Sequence, residues 1–225
     1  MSEDFRLFCE EAKSVGKRDA WKRYYTKYNE IFDGMLKYLY MMDLENFKSL
    51  IENTDFQYIL NSMEMFIGEN KIPEIEEIIN RCIEDLKFNI EFDLYLGVGL
   101  GHVDGTALLL DRPVVYFGLE RLLNHNLKII VPHEFNHMAR FYYTDFNGGK
   151  NRLVDRIITE GLGTFSSIAF LDTIIDIESI SKALMVSEKC VYRLIEIEDK
   201  IKEEIFKNLN LEMNQSFMTR YFASN

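Results

Sequence analysis

Residues 129–141 read IIVPHEFNHMARF, and they contain two of the four histidines of the chain. Side chains four positions apart lie on one face of a helix, so His133 and His137 would present their imidazole rings to the same point, with Glu134 beside them. Two neutral imidazoles suit zinc, and the carboxylate of Glu134 would accept a proton from water that the metal activates. The stretch therefore predicts a helix that carries about one zinc ion per chain, with His133 and His137 as ligands and Glu134 as general base.

The alternative interpretation of this stretch is a chance pair of histidines. In a chain of 225 residues with four histidines, a chance His-Glu-x-x-His has a probability on the order of one in a hundred. Apolar residues on both sides of the motif favour a packed helix. Pro132 predicts that the helix starts or kinks just before His133, and either outcome leaves both histidines on continuous helix.

A third ligand is expected from further along the chain. Arg140 and Tyr143 stand where the longer metzincin pattern needs Gly and His, so that pattern is excluded. If two helices meet at a turn around residues 147–149, His137 lies about 15 Å and Glu160 about 18 Å from the turn, at a rise of about 1.5 Å per residue. Glu160 is therefore the best candidate for the third ligand.

Two neighbouring glycines support this choice. Gly161 and Gly163 are costly inside a helix, and they are explained if their helix approaches the motif helix closely. The alternative for Glu160 is a solvated acid on a helix surface, in which case His102 or Cys190 would replace it as a ligand.

The charge and the cysteines of the chain argue against several classes of protein. A formal net charge of −11 argues against nucleic acid as a partner, since phosphate binding relies on clustered Lys and Arg. No apolar run approaches the roughly 20 residues of a membrane-spanning helix, and the acidic residues 1–6 lack the pattern of a secretory signal. Three cysteines without a Cys-x-x-Cys spacing suit reduced thiols. We therefore expect a cytoplasmic protein.

The hydrophobic pattern changes near residue 90. Residues 1–90 show helical periodicity and predict a region of about four to six helices. Residues 91–225 begin with three alternating runs, at 92–96, 106–110 and 112–117, which predict antiparallel strands, and they continue as helices. We expect one compact unit with a predominantly helical α+β fold, in which a small antiparallel sheet is followed by the motif helix and a second ligand-bearing helix.

The series Gly97-Val98-Gly99-Leu100-Gly101 superficially resembles a nucleotide-binding loop. That motif requires a glycine three positions after Gly99, and His102 stands there instead. We therefore discount nucleotide binding.

The motif residues resemble a known group of enzymes. His133-Glu134-x-x-His137 with Glu160 downstream resembles the gluzincins, the thermolysin-like zinc peptidases. A closer likeness adds Arg140 and the downstream segment Leu-x-x-x-Ile-x-x-Glu-Gly-Leu, and it looks like a bacterial family of predicted zinc-dependent proteases among the domains of unknown function. This likeness covers residues 90–170 well and the N-terminal helices only loosely. It implies a zincin-like fold and hydrolysis of peptide bonds.

Two departures from these families bear on the site. Gluzincins commonly place an acid four positions after the glutamate to orient a ligand histidine, and Thr164 occupies that position here. The bacterial family continues past a segment like residues 219–222 into a Tyr-bearing stretch, whereas this chain ends at Asn225. We therefore expect a different partner for the ligand histidine. For the oxyanion donor of that stretch two alternatives stay open: it is missing, or it has been truncated from this sequence.

Candidates for stabilising an oxyanion during hydrolysis are Tyr142, Tyr143, His102 and Arg140, and nothing in the sequence distinguishes them. Arg140 has an alternative role, in which it pairs with an acid such as Asp155.

A peptide or protein substrate is expected at an edge strand formed by Gly105, Thr106 and Ala107, because extended peptides often add a strand to an exposed sheet edge. The alternative is that these are ordinary turn and strand residues.

The rival function is a non-catalytic, zinc-stabilised protein-interaction module whose helical N-terminal half binds a partner. Four protein ligands would favour that module, whereas an open metal position would favour an enzyme. The sequence leaves the substrate, endo- or exopeptidase action and the oligomeric state open.

Overall fold

The computed structural model describes residues 1–36, 44–144, 152–171 and 174–212. These residues form a predominantly helical structure with a three-stranded sheet, so the expected α+β class is confirmed. The turn expected at residues 147–149 and the segment 219–222 lie outside the described residues.

Helices occupy the described part of the N-terminal region, as its periodicity predicts. Gly16, with φ of +87°, separates the first two helices, and the Asp55 carboxylate caps the fifth by accepting the N–H groups of Gln57 and Tyr58. Pro73 lies in the first turn of the sixth helix, where no backbone donor is needed. The helices are α1 (Ser2–Val15), α2 (Lys17–Lys27), α3 (Asn29–Met35), α4 (Leu44–Asn53), α5 (Phe56–Gly68) and α6 (Ile72–Asp85).

The sheet contains β1 (Asp93–Gly97), β2 (Gly105–Leu109) and β3 (Pro113–Gly118), in the spatial order β1-β3-β2. β2 pairs antiparallel with β3, but β1 pairs parallel with β3. The expectation of an antiparallel sheet is therefore wrong for β1. Alternation of apolar residues indicates that a segment is a strand but does not define its neighbour. β3 lies in the centre with all its residues buried, and the path of the chain from β1 through β2 brings β1 alongside it in the parallel direction.

The helices after the sheet include the motif helix. It begins at Leu127, where the Asn126 side chain accepts the N–H of Lys128, and it continues through Pro132. The helix therefore does not start at the proline, and His133 and His137 lie on continuous helix as expected. The helices are α7 (Leu119–Leu122), α8 (Leu127–Tyr143), α9 (Leu153–Phe170), α10 (Ile177–Ala183), α11 (Glu188–Glu196) and α12 (Glu198–Asn208).

The hydrophobic core connects the N-terminal helices with the sheet and α8. It includes Phe5 of α1 and Phe66 of α5 together with Tyr116 of β3 and Phe135 of α8, and each of these four side chains is fully buried. α6 packs against α8, and α5 packs against α7. The motif helix α8 therefore packs against this core. None of the described helices is long and apolar enough to cross a membrane.

Candidate metal centre

Two packed helices, α8 and α9, bring three predicted ligands together. The Glu160 Oε2 atom lies 3.3 Å from His133 Nε2 and 3.5 Å from His137 Nε2. One ligand atom from each of the three residues lies within 4.8 Å of the others. Within the described ranges, these three residues form a group of His, Cys, Asp or Glu side chains whose ligand atoms lie close enough together to hold a metal ion.

A close approach of the two helices makes this convergence possible. A Cβ atom at position 163 would lie 2.8 Å from His133 Cε1, so the glycine leaves room for the imidazole ring. One turn further along α9, the buried Ser167 hydroxyl donates a 2.7 Å hydrogen bond to the Ile129 carbonyl of α8. The role expected of Gly163 is confirmed. The same role for Gly161 is wrong, because a Cβ atom there would meet nothing within 4 Å.

In the metal-free protein, Glu160 and His133 stabilise each other's charged form. Burial opposes ionisation of Glu160, but hydrogen bonds from His133 and His137 outweigh it and hold the pKa of this carboxyl below its ordinary value. Burial likewise disfavours charge on His133, yet the hydrogen bond to Glu160 and the nearby Glu134 raise the pKa of the imidazole. The three side chains therefore form a preorganised set with a carboxylate at its centre.

Glu134 lies beside the ligand group and against the sheet. The Ala107 backbone N–H of β2 faces its carboxylate and is the smallest of the causes that act on its pKa. A Cβ atom at Gly105 would lie 2.8 Å from Glu134 Cγ, so the strand approaches this side chain as closely as a glycine permits. Burial raises the pKa of the Glu134 carboxyl, while the two histidines partly oppose that shift. The side chain is thus a partly buried carboxylate with raised basicity next to three candidate ligands.

Arg140 connects the two helices one turn beyond His137. Its Nη1 atom donates a 3.0 Å hydrogen bond to Thr159 Oγ1, and its charge contributes to lowering the pKa of Asp155. The alternative expected for Arg140, a pairing with Asp155, stays a prediction. Arg156, which the sequence did not single out, lies on the same side of α9, with Nη1 3.9 Å from Glu160 Oε1. Its position one turn before Glu160 is the signal that would have identified it.

The other predicted site residues lie outside the ligand group. The Tyr142 hydroxyl donates to the Leu110 carbonyl at 2.7 Å, and the Tyr143 hydroxyl donates to the Lys87 carbonyl at 2.5 Å. His102 is exposed in the loop between β1 and β2, and Cys190 is a partly buried free thiol of α11. The oxyanion role of these tyrosines and of His102 stays a prediction.

Thr164 lies half-buried on α9, one turn after Glu160. His137 Nδ1 is buried and has no hydrogen-bond partner among the residues that the structure describes. A histidine that binds a metal through one nitrogen usually donates the N–H of the other to an acceptor. Position 164, where an acid could accept from a ligand histidine, holds a threonine. His137 Nδ1 correspondingly lacks an acceptor among the described residues.

Comparison of the chain with protein-family models, with curated proteins and with solved structures finds no match. The resemblance to gluzincins and to the bacterial family therefore stays an interpretation of the motif residues.

Proposed function

We propose that this protein is a zinc-dependent peptidase in which His133, His137 and Glu160 bind the metal and Glu134 is the general base. One observation carries the proposal: the three candidate ligands converge, and a partly buried carboxylate with a raised pKa lies directly beside them. Three protein ligands, with the fourth position left to water, are typical of catalytic zinc sites.

The donor set supports zinc as the metal. Two imidazole nitrogens and one carboxylate oxygen suit zinc, and ligand atoms around a tetrahedral zinc ion lie roughly 3.3–3.5 Å apart. The separations of 3.3 and 3.5 Å between Glu160 and the two histidines agree with this spacing. A bound zinc ion would supply Lewis acidity, which polarises a carbonyl group and lowers the pKa of water towards neutrality.

Glu134 is well placed to move the proton in this reaction. Burial raises the pKa of its carboxyl in the metal-free protein, and a bound cation would favour the ionised form that accepts a proton. Gly105 packs under its Cγ atom and so limits where the side chain can lie. Glu134 would accept a proton from the attacking water and later donate it to the leaving amine.

The open edge of the sheet supports an extended peptide as substrate. β2 lies at the edge next to β3, and the carbonyl of Asp104, the residue before β2, accepts the Gly118 N–H of β3 at 3.0 Å. Residues of an antiparallel pair alternate between bonding to the partner strand and pointing away from it. Gly105 and Ala107 therefore direct their backbone groups away from β3. We propose that a peptide or protein substrate pairs with this edge, which places its backbone beside Glu134.

The cellular compartment is proposed from the thiols. Cys9, Cys82 and Cys190 are free, and free thiols suit the reducing cytoplasm.

The substitution Glu134→Gln tests the proposed reaction. It should leave zinc binding intact and reduce hydrolysis of unstructured peptides by roughly 10²–10⁴-fold, because it removes a positioned general base. Glu77→Gln is a matched control, since Glu77 is exposed on α6. Both variants and the wild type should be assayed for bound zinc and for cleavage of a broad peptide library.

Two outcomes would contradict the proposal. If Glu134→Gln cleaves peptides as fast as the wild type, Glu134 is not the base. If the wild type cleaves no peptide and a metal-loaded structure contains four protein ligands, the rival function of a zinc-stabilised interaction module replaces the peptidase.

A further inference from the structure

A buried acid of α7 holds the loop that leads into β2. Glu120 is only 7% exposed. Its Oε2 atom accepts the Gly99 N–H and its Oε1 atom accepts the Gly101 N–H, each at 3.0 Å. Both oxygens therefore act as hydrogen-bond acceptors for the backbone. The loop between β1 and β2 (residues 98–104) is bound to the two oxygens of this buried carboxyl group.

This loop adopts a conformation that needs such support. Leu100 has φ of +52° and Gly101 has φ of +78°, both in the left-handed region. A leucine is rarely found there, and its side chain is buried as well. Backbone N–H groups that converge in this way form a concave site for an anion. Here the anion is the chain's own Glu120, which accounts for a glycine series that is not a nucleotide loop.

The end of the loop is fixed by residues next to Glu120. The Arg121 Nε atom donates a 2.7 Å hydrogen bond to Asp104 Oδ1, and the Asp104 carbonyl accepts the Gly118 N–H at 3.0 Å. A Cβ atom at Gly118 would lie 2.2 Å from the Val103 carbonyl oxygen, so the loop packs directly on the end of β3. Gly105, the first residue of β2, follows immediately. Its position is therefore set by residues 118–121.

The strand in turn contacts Glu134. Gly105 packs under Glu134 Cγ, and the Ala107 N–H faces the Glu134 carboxylate. Contacts thus run from Glu120 through the loop and β2 to Glu134. The candidate metal ligands lie on α8 and α9 instead, and they converge without any residue of the loop.

We propose that Glu120 is a positioning residue. Its carboxylate fixes the loop of residues 98–104 and thereby holds β2 in the position in which Ala107 faces Glu134. The effect on hydrolysis rests on the proposed function of Glu134, whereas the effect on Ala107 does not. Loss of the Glu120 carboxylate should therefore disturb Glu134 and leave the metal ligands in place.

Hydrogen exchange measured by NMR on the zinc-loaded full chain tests this proposal. In Glu120→Gln an amide group replaces one acceptor oxygen and faces a backbone donor. The Ala107 amide should exchange severalfold faster, because a displaced β2 no longer holds this amide against the Glu134 carboxylate. The Leu108 and Val115 amides should change much less. The catalytic constant per bound zinc should fall roughly tenfold, and zinc affinity should change less than about twofold.

A selective effect at Ala107 is the result that a purely structural role would not give, because general destabilisation accelerates exchange throughout the sheet. Equal acceleration at Ala107, Leu108 and Val115, or an unchanged Ala107, would overturn the proposal. Glu77→Gln serves as the control. If Glu120→Gln does not fold, Glu120→Asp decides instead, since the shorter side chain withdraws the carboxylate from the Gly99 and Gly101 donors. Selective acceleration at Ala107 in that variant supports the proposal, and none overturns it.

The experiment also separates this proposal from the proposed function. If the wild type cleaves no peptide but Ala107 responds selectively to Glu120→Gln, the positioning role stands and the role of Glu134 as a base falls. If the wild type cleaves peptides and Glu120→Gln is equally active with unchanged Ala107 exchange, the peptidase stands and the positioning role falls.

Discussion

Gly163 of α9 lies directly against the His133 ring of α8. A Cβ atom at position 163 would be 2.8 Å from Cε1, 2.9 Å from Nδ1 and 2.9 Å from Nε2 of that ring. Carbon atoms in contact are normally 3.5–4.0 Å apart, so no side chain fits here while the ring stays in place. The position of the His133 ring therefore depends on residue 163 being glycine.

We expect Gly163→Ala to weaken zinc binding by roughly ten- to a hundredfold, the range seen when groups that orient a metal ligand are altered. The added methyl group would push the His133 ring away from Glu160 and His137. Competition for zinc with a chelating dye would measure the effect. Zinc affinity equal to that of the wild type would show that the ring does not need this contact.

Gly161→Ala is the matched control. Position 161 is exposed, and a Cβ atom there would meet nothing within 4 Å. Alanine is favoured over glycine inside a helix, so this variant should be more stable by about 0.5–1 kcal/mol and should bind zinc like the wild type. Chemical denaturation of the metal-free protein would report the gain.

Much of the candidate site could be predicted from the sequence because helical geometry is regular. The spacing of His133 and His137 defines a common face, and equal distances from a turn place Glu160 opposite. Gly163 was anticipated for the same reason. Gly161 was not distinguished from it, since a difference of two positions on a helix changes the face by about 200°.

The sheet and its supporting contacts could be predicted less well. Alternation in residues 92–96 indicated β1 but not its parallel pairing with β3, which depends on the path of the chain between the strands. No pattern in the sequence indicates that Glu120 binds the loop, because this role is recognised only once its donors at Gly99 and Gly101 are known. Long-range polar contacts of this kind have no period in the sequence.

We expect the purified protein to contain about one equivalent of zinc, and the double change His133→Ala with His137→Ala to abolish it. Free zinc at a hundred times its dissociation constant stabilises a protein by about 2.7 kcal/mol, so a chelator should lower the melting temperature of the wild type only. The other two histidines provide the control: His102→Ala with His125→Ala should retain zinc. Stoichiometric zinc in the first double variant would refute the site.

Glu160 should be the third ligand. A zinc-loaded crystal structure should show a Glu160 oxygen at about 2.0–2.2 Å from the metal, and Glu160→Gln should bind zinc far more weakly than the wild type. Cys190→Ala and His102→Ala, which remove the two substitute ligands, should leave affinity unchanged. A metal-loaded structure in which Glu160 points to solvent would contradict this assignment, whichever residue replaced it.

The pH dependence of stability should reveal the burial of Glu120. Burial raises the pKa of this carboxyl, and the hydrogen bonds from Gly101 and Gly99 only partly offset that effect. Arg121 on the same helix and Tyr24 on α2 also interact electrostatically with it. Since the folded protein binds this proton more tightly than the unfolded chain, the contribution to stability is full below the unfolded pKa of about 4.3.

That contribution should be lost as the pH rises through the folded pKa. The free energy of unfolding of the wild type, measured in urea relative to Glu120→Gln, should therefore decrease from about pH 4 upward and then level off, because glutamine does not titrate in this range. Metal-free protein should be used for both, so that protonation of the ligand histidines cancels in the comparison. A difference that increases with pH would mean that the two backbone donors outweigh burial and that the pKa of Glu120 is lowered instead.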